Sequence, residues 1–248
     1  MGNIGDFMSG HSKWNNIKQT KGKMDALRGK TFTKYGKIIS VAVKLGGGDP
    51  NSNPKLRDAI SKAKANNMPN DNITRCIKRA LGEGSGGNYE EITYEGYGIG
   101  GSAVIVNCLT DNRNRTAGAV RHIFDKHGGS VGSTNCVSFM FDRLGQLVID
   151  KNCGKTEDEI LELGLEAGAD DVIVEDEVYT VITAPSAFNE VQEFLTNQGL
   201  TFLSAEVNLV PQNYVDLDEN QYQVFQKMLD EFEEKEDVQD VYHNVNEQ

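Results

Sequence analysis

Cysteine is scarce in this sequence, long apolar runs are missing, and no residues cluster at metal-ligand spacing. Each shortage excludes a class of protein. Cys76, Cys108, Cys136 and Cys153 are scattered through 248 residues without a C-x-x-C pair, so neither a disulfide framework nor a zinc ribbon is encoded. They read as reduced thiols, mostly buried. His122, His127 and His243 have no companions at ligand spacing and read as surface or packed side chains. No apolar stretch reaches the roughly 20 residues that cross a bilayer. Residues 1–7 lack the basic start and apolar middle of a signal peptide, so a cytoplasmic protein without membrane contact is expected. Met1–Phe7, which precede a second methionine at position 8, carry no structural weight. Ser, His and Asp are present, but no nucleophile is placed beside a base. No catalytic residue, cofactor or metal is therefore expected.

Positive charge is also in short supply overall: 25 Lys and Arg against 37 Asp and Glu give a net of -12. A uniformly acidic surface would repel phosphate. The distribution reverses that inference, because residues 1–82 hold sixteen bases and five acids, a net of +11, leaving -23 for residues 83–248. Such asymmetry marks a surface for polyanions, since each phosphate neutralised releases condensed counterions. The candidate nucleic-acid contacts are His11, Ser12, Lys13, Trp14, Lys18, Lys21, Lys23, Arg28, Lys30, Lys34 and Lys37, supported by Arg57, Lys64, Arg75, Lys78 and Arg79. Trp14 offers a face for a base while the cations follow the backbone.

A hydrophobic fraction of 38% with 25% charged residues belongs to a folded chain, long enough for two or three compact units. Residues 11–81 have helical spacing throughout. A basic segment covers His11–Leu27, and a second helix over 33–45 ends at Gly46, Gly47 and Gly48. Asn53 before Pro54 reads as an N-cap with proline at the first helical position, and Leu56, Ala59, Ile60 and Ala63 then share a face. A last helix from Asn70 or Asp71 aligns Ile73, Ile77 and Leu81. The glycine-rich stretch after Leu81 coincides with the change of charge sign and marks a boundary.

Beyond it, strands are predicted at 91–95 and 102–109 around a glycine turn, followed by a helix over 113–126 that stops at Gly128. Strands at 137–141 and 146–150 are split by a turn at Gly145. Thr156 and Glu159 form a capping box for a helix to Ala167, ahead of strands at 172–175 and 178–183. A helix opening at Pro185 and Ser186 ends at Gly199, and then come a strand at 201–209, a helix over 218–234 and a strand at 238–245. This order gives an α+β multidomain chain: an all-helical domain over 8–82, a discontinuous α/β domain over 83–135 plus 206–248, and an inserted ferredoxin-like α+β domain over 136–205.

Three motifs have a plain and a sharper reading. Gly96, Gly98 and Gly101 spell G-x-G-x-x-G, but the residues that follow are strand-like rather than helical, which favours a glycine turn over a dinucleotide site. In residues 110–116, Asp111 or Asn112 reads as an N-cap, with Arg113 and Arg115 as a secondary phosphate contact in the sharper reading. The acidic run Asp230–Asp237 is a solvated face by default, and a phosphate mimic folded back on the basic domain otherwise. A nucleotide-using enzyme built on the glycine turn and a protein adaptor built on the acidic domains remain as rival classes. The adaptor leaves the basic half without a role.

The segments GHSKW at 10–14, KLGGGDP at 44–50, NNMP at 66–69, YEGYG at 94–98 and DNRNRT at 111–116 together closely resemble the YebC/PmpR family. That family includes the mitochondrial translational activator of cytochrome c oxidase subunit I, and the resemblance runs from about Met8 almost to the C-terminus. It implies a helical domain followed by two α/β domains, the third inserted in the second. For function it implies a nucleic-acid-binding regulator of gene expression, a DNA-binding transcriptional regulator in one description of the family. In the other description members are ribosome-associated translation factors that help difficult sequences such as proline runs. His11, Ser12, Lys13 and Trp14 would then contact ribosomal RNA.

Overall fold

A computed structural model describes residues 31–65, 67–82 and 89–246 of the chain. Among them are seven α-helices and two four-stranded antiparallel sheets. Packing divides the chain into two compact units, one built on Phe139–Tyr214 and the other on the described parts of Lys23–Ser138 with Val215–Val245.

The larger unit begins with a helical bundle: α1, described over 31–46, α2 (Pro54–Ala65) and α3 (Asn70–Leu81). Ile39, Val43, Leu56, Ala59, Ala63, Met68 and Ile73 form its core. Apolar residues at helical spacing bury one stripe of each helix and leave the charges outside. One side chain makes the α1–α2 corner. Asn53, 4% exposed, donates from Nδ2 to the carbonyls of Ala42 and Gly47, both at 2.8 Å, and accepts the Leu56 N–H on Oδ1 at 3.1 Å. It thus caps α2, as Asn before Pro predicts, and also satisfies carbonyls at the end of α1. A Cβ at Gly46 would stand 2.7 Å from Asn53, so the glycines of KLGGGDP make room for that amide. Leu81, placed by its spacing on the core stripe, is instead 58% exposed, because α3 ends there and Gly82 is already extended.

The first sheet has the order β3-β1-β2-β8, with β1 (Glu90–Tyr97), β2 (Ala103–Thr110), β3 (Ser130–Val131) and β8 (Val238–His243). Two helices pack on it, α4 (Arg113–Lys126) and α7 (Glu219–Glu233), and Phe124 meets Phe232 edge to face with centroids 5.5 Å apart. The glycine motif is the β1–β2 hairpin connection. Gly100 and Gly101 take φ of 68° and 77°, and a strand follows, not a helix. In YEGYG, Glu95 is buried and its carboxylate accepts three backbone N–H bonds, from Asn135, Val137 and Ser138. Burial alone would raise its pKa, but those donors hold it below the ordinary carboxylate value.

The smaller unit runs β4 (Phe141–Asp150), α5 (Glu157–Ala167), β5 (Asp171–Val174), β6 (Val178–Thr183), α6 (Phe188–Asn197), β7 (Ser204–Pro211), with sheet order β5-β6-β4-β7. The Thr156/Glu159 capping box is formed, and Gly168 closes α5 in the left-handed region at φ 80°. Helix α6 starts at Phe188, later than the proline and serine suggested.

The expected turn at Gly145 does not exist. Gly145 lies inside the single strand β4, paired to Thr183 on one side and Val207 on the other. A Cβ there would be 2.2 Å from Thr183 Oγ1 and 2.6 Å from Phe188, so this glycine marks a close approach rather than a reversal. The cysteines also differ from expectation. All four are free thiols, but only Cys108 is buried and the others are half-buried.

Candidate nucleic-acid interface

The cations named from the sequence fall into two circumstances. His11, Ser12, Lys13, Trp14, Lys18, Lys21, Lys23, Arg28 and Lys30 lie outside the described residues. On α1, Lys34 and Lys37 face the sheet. Lys34 is half-buried, and its pKa is lowered by desolvation despite nearby Glu233 and Asp240. Lys37 Nζ donates to Asp237 Oδ1 at 2.7 Å and to the Glu236 carbonyl at 3.0 Å, with both charged side chains almost covered, at 11% and 13% exposure.

Asp237 is the hub of this node. Its other oxygen accepts from Arg115 Nη2 and from Thr116 Oγ1, both at 2.8 Å, and from Thr110 Oγ1 at 3.2 Å. Burial would raise its pKa, but hydrogen bonds from Lys37, Arg115 and Thr116 bring it to about 2. The DNRNRT motif supplies half of these contacts through the start of α4. Asn112 caps the helix by accepting the Arg115 N–H at 3.0 Å, while Asp111 takes the Arg115 guanidinium at 2.9 Å. Arg115, a candidate secondary contact, is thus shared between two carboxylates. Arg113 stands 3.9 Å from Glu90 on an exposed surface.

The acidic run is therefore not a solvated face throughout. Besides Asp237, Glu231 accepts from Lys126 at 2.8 Å and lies 3.0 Å from His127 Nε2. Bonds first from Lys126 and then from His127 lower its pKa to about 2. Near Lys34, Glu233 also faces the helical bundle. Periodicity along α7 could not reveal this, because the partners are remote in sequence.

On α2 and α3 the circumstance is the opposite. Arg57, Lys64, Arg75, Lys78 and Arg79 are all exposed. Among the described residues no carboxylate lies within ion-pair distance of Arg57, Lys64, Arg75 or Lys78. Arg57, Ser61 and Lys64 follow one face of α2, and Asn70 and Thr74 one face of α3, and together they line a groove of about 550 Å³. Helical spacing predicts the cations. It does not reveal that Ser61, Asn70 and Thr74 join them, because short polar residues on exposed faces carry no distinctive pattern.

The opposite face of α3 borders a second cleft, of about 340 Å³, where Asn72, Arg75 and Arg79 meet Phe32 and Lys37 of α1 and Tyr89. Lys37 Nζ is 6.0 Å from the Tyr89 ring centroid. Phe32 and Tyr89 were not candidates in the sequence, where they sit singly among unrelated residues. Elsewhere, His243 is half-buried, edge-on to Phe225, and desolvation lowers its pKa to about 4. Among the described residues no group of His, Cys, Asp and Glu has the arrangement to hold a metal ion, and no helix is long and apolar enough to cross a membrane.

Comparison with known proteins covers most of the chain. Residues 12–83 match the TACO1/YebC protein N-terminal domain, and residues 89–245 match the TACO1/YebC second and third domain. A Hathewaya histolytica protein named "Probable transcriptional regulatory protein ORF2U" is 60% identical over 96% of this chain and 97% of its own. A Clostridium botulinum protein named "Probable transcriptional regulatory protein" is 59% identical with the same coverage. The crystal structure of a conserved hypothetical protein from Aquifex aeolicus superposes with a TM-score of 0.79 at 44% identity, covering 91% of this chain and 93% of the other.

Proposed function

Because the chain belongs to the TACO1/YebC family, whose relatives above bear the name of transcriptional regulatory proteins, we propose that it is a non-enzymatic, nucleic-acid-binding regulator of gene expression. The observation that carries this reading is the exposed set Arg57, Lys64, Arg75 and Lys78, which stands without carboxylate partners among the described residues in a chain whose net charge is -12. In an acidic protein, exposed cations without carboxylate partners, gathered on one small bundle, form the electrostatic footprint expected for a polyanion. The N-terminal bases between His11 and Lys30 contact the same partner in this reading. Arg115 and Lys37 serve the internal node instead. The domain scheme belongs to the same proposal, a basic helical domain, a discontinuous α/β domain and an inserted one over Phe139–Tyr214, because β7 pairs with β4 along Ser204–Pro211, with the acidic domains carrying and orienting the basic one.

DNA and ribosomal RNA are the two partners this surface fits. Duplex readout calls for side chains against base edges, commonly from a dimer on paired half-sites, whereas ribosome binding needs no such symmetry. Ribosome co-sedimentation run beside footprinting on genomic DNA separates them. Protection of discrete DNA sites without co-sedimentation establishes the transcriptional regulator, and the reverse establishes a translation factor. Failure in both overturns the nucleic-acid reading.

A further inference from the structure

We propose that the cleft between α1 and α3, bordered by Tyr89, is a pocket for one unstacked nucleotide of a single strand. This rests on the nucleic-acid reading above and goes beyond it by naming where a base, rather than a phosphate, is held. The two hollows beside α3 differ in chemistry. The groove toward α2 has cations, hydroxyls and amides over the aliphatic side chains of Ile60, Ile73 and Ile77, and no aromatic ring. It suits a sugar-phosphate backbone. The cleft toward α1 is lined by two aromatic residues, Phe32 and Tyr89, together with Asn72, Arg75 and Arg79. Proteins that bind single strands combine a basic groove that follows the backbone with aromatic faces on which bases stack. Here the two components lie on opposite flanks of one helix.

Size and order agree with that occupant. At about 340 Å³ the cleft falls within the range of small-ligand pockets, which runs from about 300 to 1,000 Å³. A paired base stays inside its duplex and cannot enter such a pocket without being extruded, so the ligand is a single strand. Lys37 lines the cleft while its ammonium is held by Asp237 and stands 6.0 Å from the Tyr89 centroid. The node that ties α1 to the turn before β8 thus also holds a cation beside the Tyr89 ring.

The test uses the full chain, a single-stranded oligoribonucleotide carrying one 4-thiouridine, and an RNA duplex of equal length. Ultraviolet crosslinking followed by mass spectrometry should place adducts on peptides containing Phe32 or Tyr89. Adducts only elsewhere would overturn the pocket. In binding titrations Tyr89→Leu should weaken the single strand by about 5- to 150-fold, the equivalent of one base–aromatic stack. Duplex affinity should be unchanged, and Tyr89→Phe should bind as the wild type does. Equal losses for both probes, or none, would refute the pocket while leaving the wider reading intact. If the wild-type chain binds neither probe at about 50 mM salt, that reading falls too.

Discussion

Lys37 and Arg57 belong to the same helical bundle and carry the same charge, yet their surroundings are opposite. Lys37 is 11% exposed and bonded to Asp237, whereas Arg57 is exposed with no carboxylate at ion-pair distance among the described residues. The excess positive charge of the first part of the chain is therefore not one surface. Part of it is matched by the acidic remainder, where Asp237, Glu233 and Asp240 face Lys37 and Lys34 of α1. Another part, Arg57, Lys64, Arg75, Lys78 and Arg79, faces solvent on α2 and α3. Substitutions in the two sets should consequently separate stability from binding.

The largest effect is expected from the solvent-facing set. Replacing Arg57, Lys64, Arg75 and Lys78 together with Gln should weaken nucleic-acid binding by about 10³-fold at moderate salt and flatten the salt slope by about 4, if each side chain meets one phosphate. Thermal unfolding should move little, since none of the four has a carboxylate partner to lose and only Lys64 and Lys78 give up a weak interaction with a helix C-terminus. Asp237→Asn should do the reverse, costing about 3 kcal/mol in denaturant titrations because Lys37 keeps a covered charge without its counterion. A loss of affinity larger than that of the quadruple variant would erase the distinction between the sets.

Acid should expose the same division. Asp237 and Glu231 have folded pKa values of about 2, below those of unfolded carboxylates. Their stabilisation is complete above the unfolded pKa values and is lost as pH falls from about 4.5 towards 2. The share of Asp237 is about 2 kcal/mol, and Asp237→Asn should remove it from the pH profile. His243 acts in a separate window. Its folded pKa of about 4 lies under the unfolded value, so stability should already decline as pH falls from about 6.5 to 4, with or without Asp237. A smaller loss, about 1 kcal/mol, is expected for Asn53→Ala from the missing cap. Hydrogen exchange should accelerate at the α1–α2 corner and nowhere in the β4–β7 sheet.

Much of the fold was legible because its signals are local. The helical spacing of Leu56, Ala59 and Ala63, the cap at Asn53 and the Thr156/Glu159 box each concern residues within a few positions, and the structure contains all three. Gly145 was misread because a glycine that yields to Thr183 and Phe188 looks, in one dimension, like a glycine that turns. The candidate site was legible only as a charge pattern. Charge asymmetry pointed to the helical bundle, but Lys37 and Asp237 stand 200 residues apart, and no local pattern reveals that they neutralise one another. Tyr89 escaped notice for the same reason, since its neighbours in the cleft come from α1 and α3.

The most direct test of the central claim is a salt titration of binding to ribosomal RNA and to DNA, comparing the wild-type chain with the quadruple α2–α3 variant. A steep loss of wild-type affinity between about 50 and 200 mM salt, with a markedly shallower slope for the variant, is the predicted result. Equal slopes for the two proteins, or wild-type binding that ignores salt, would contradict it.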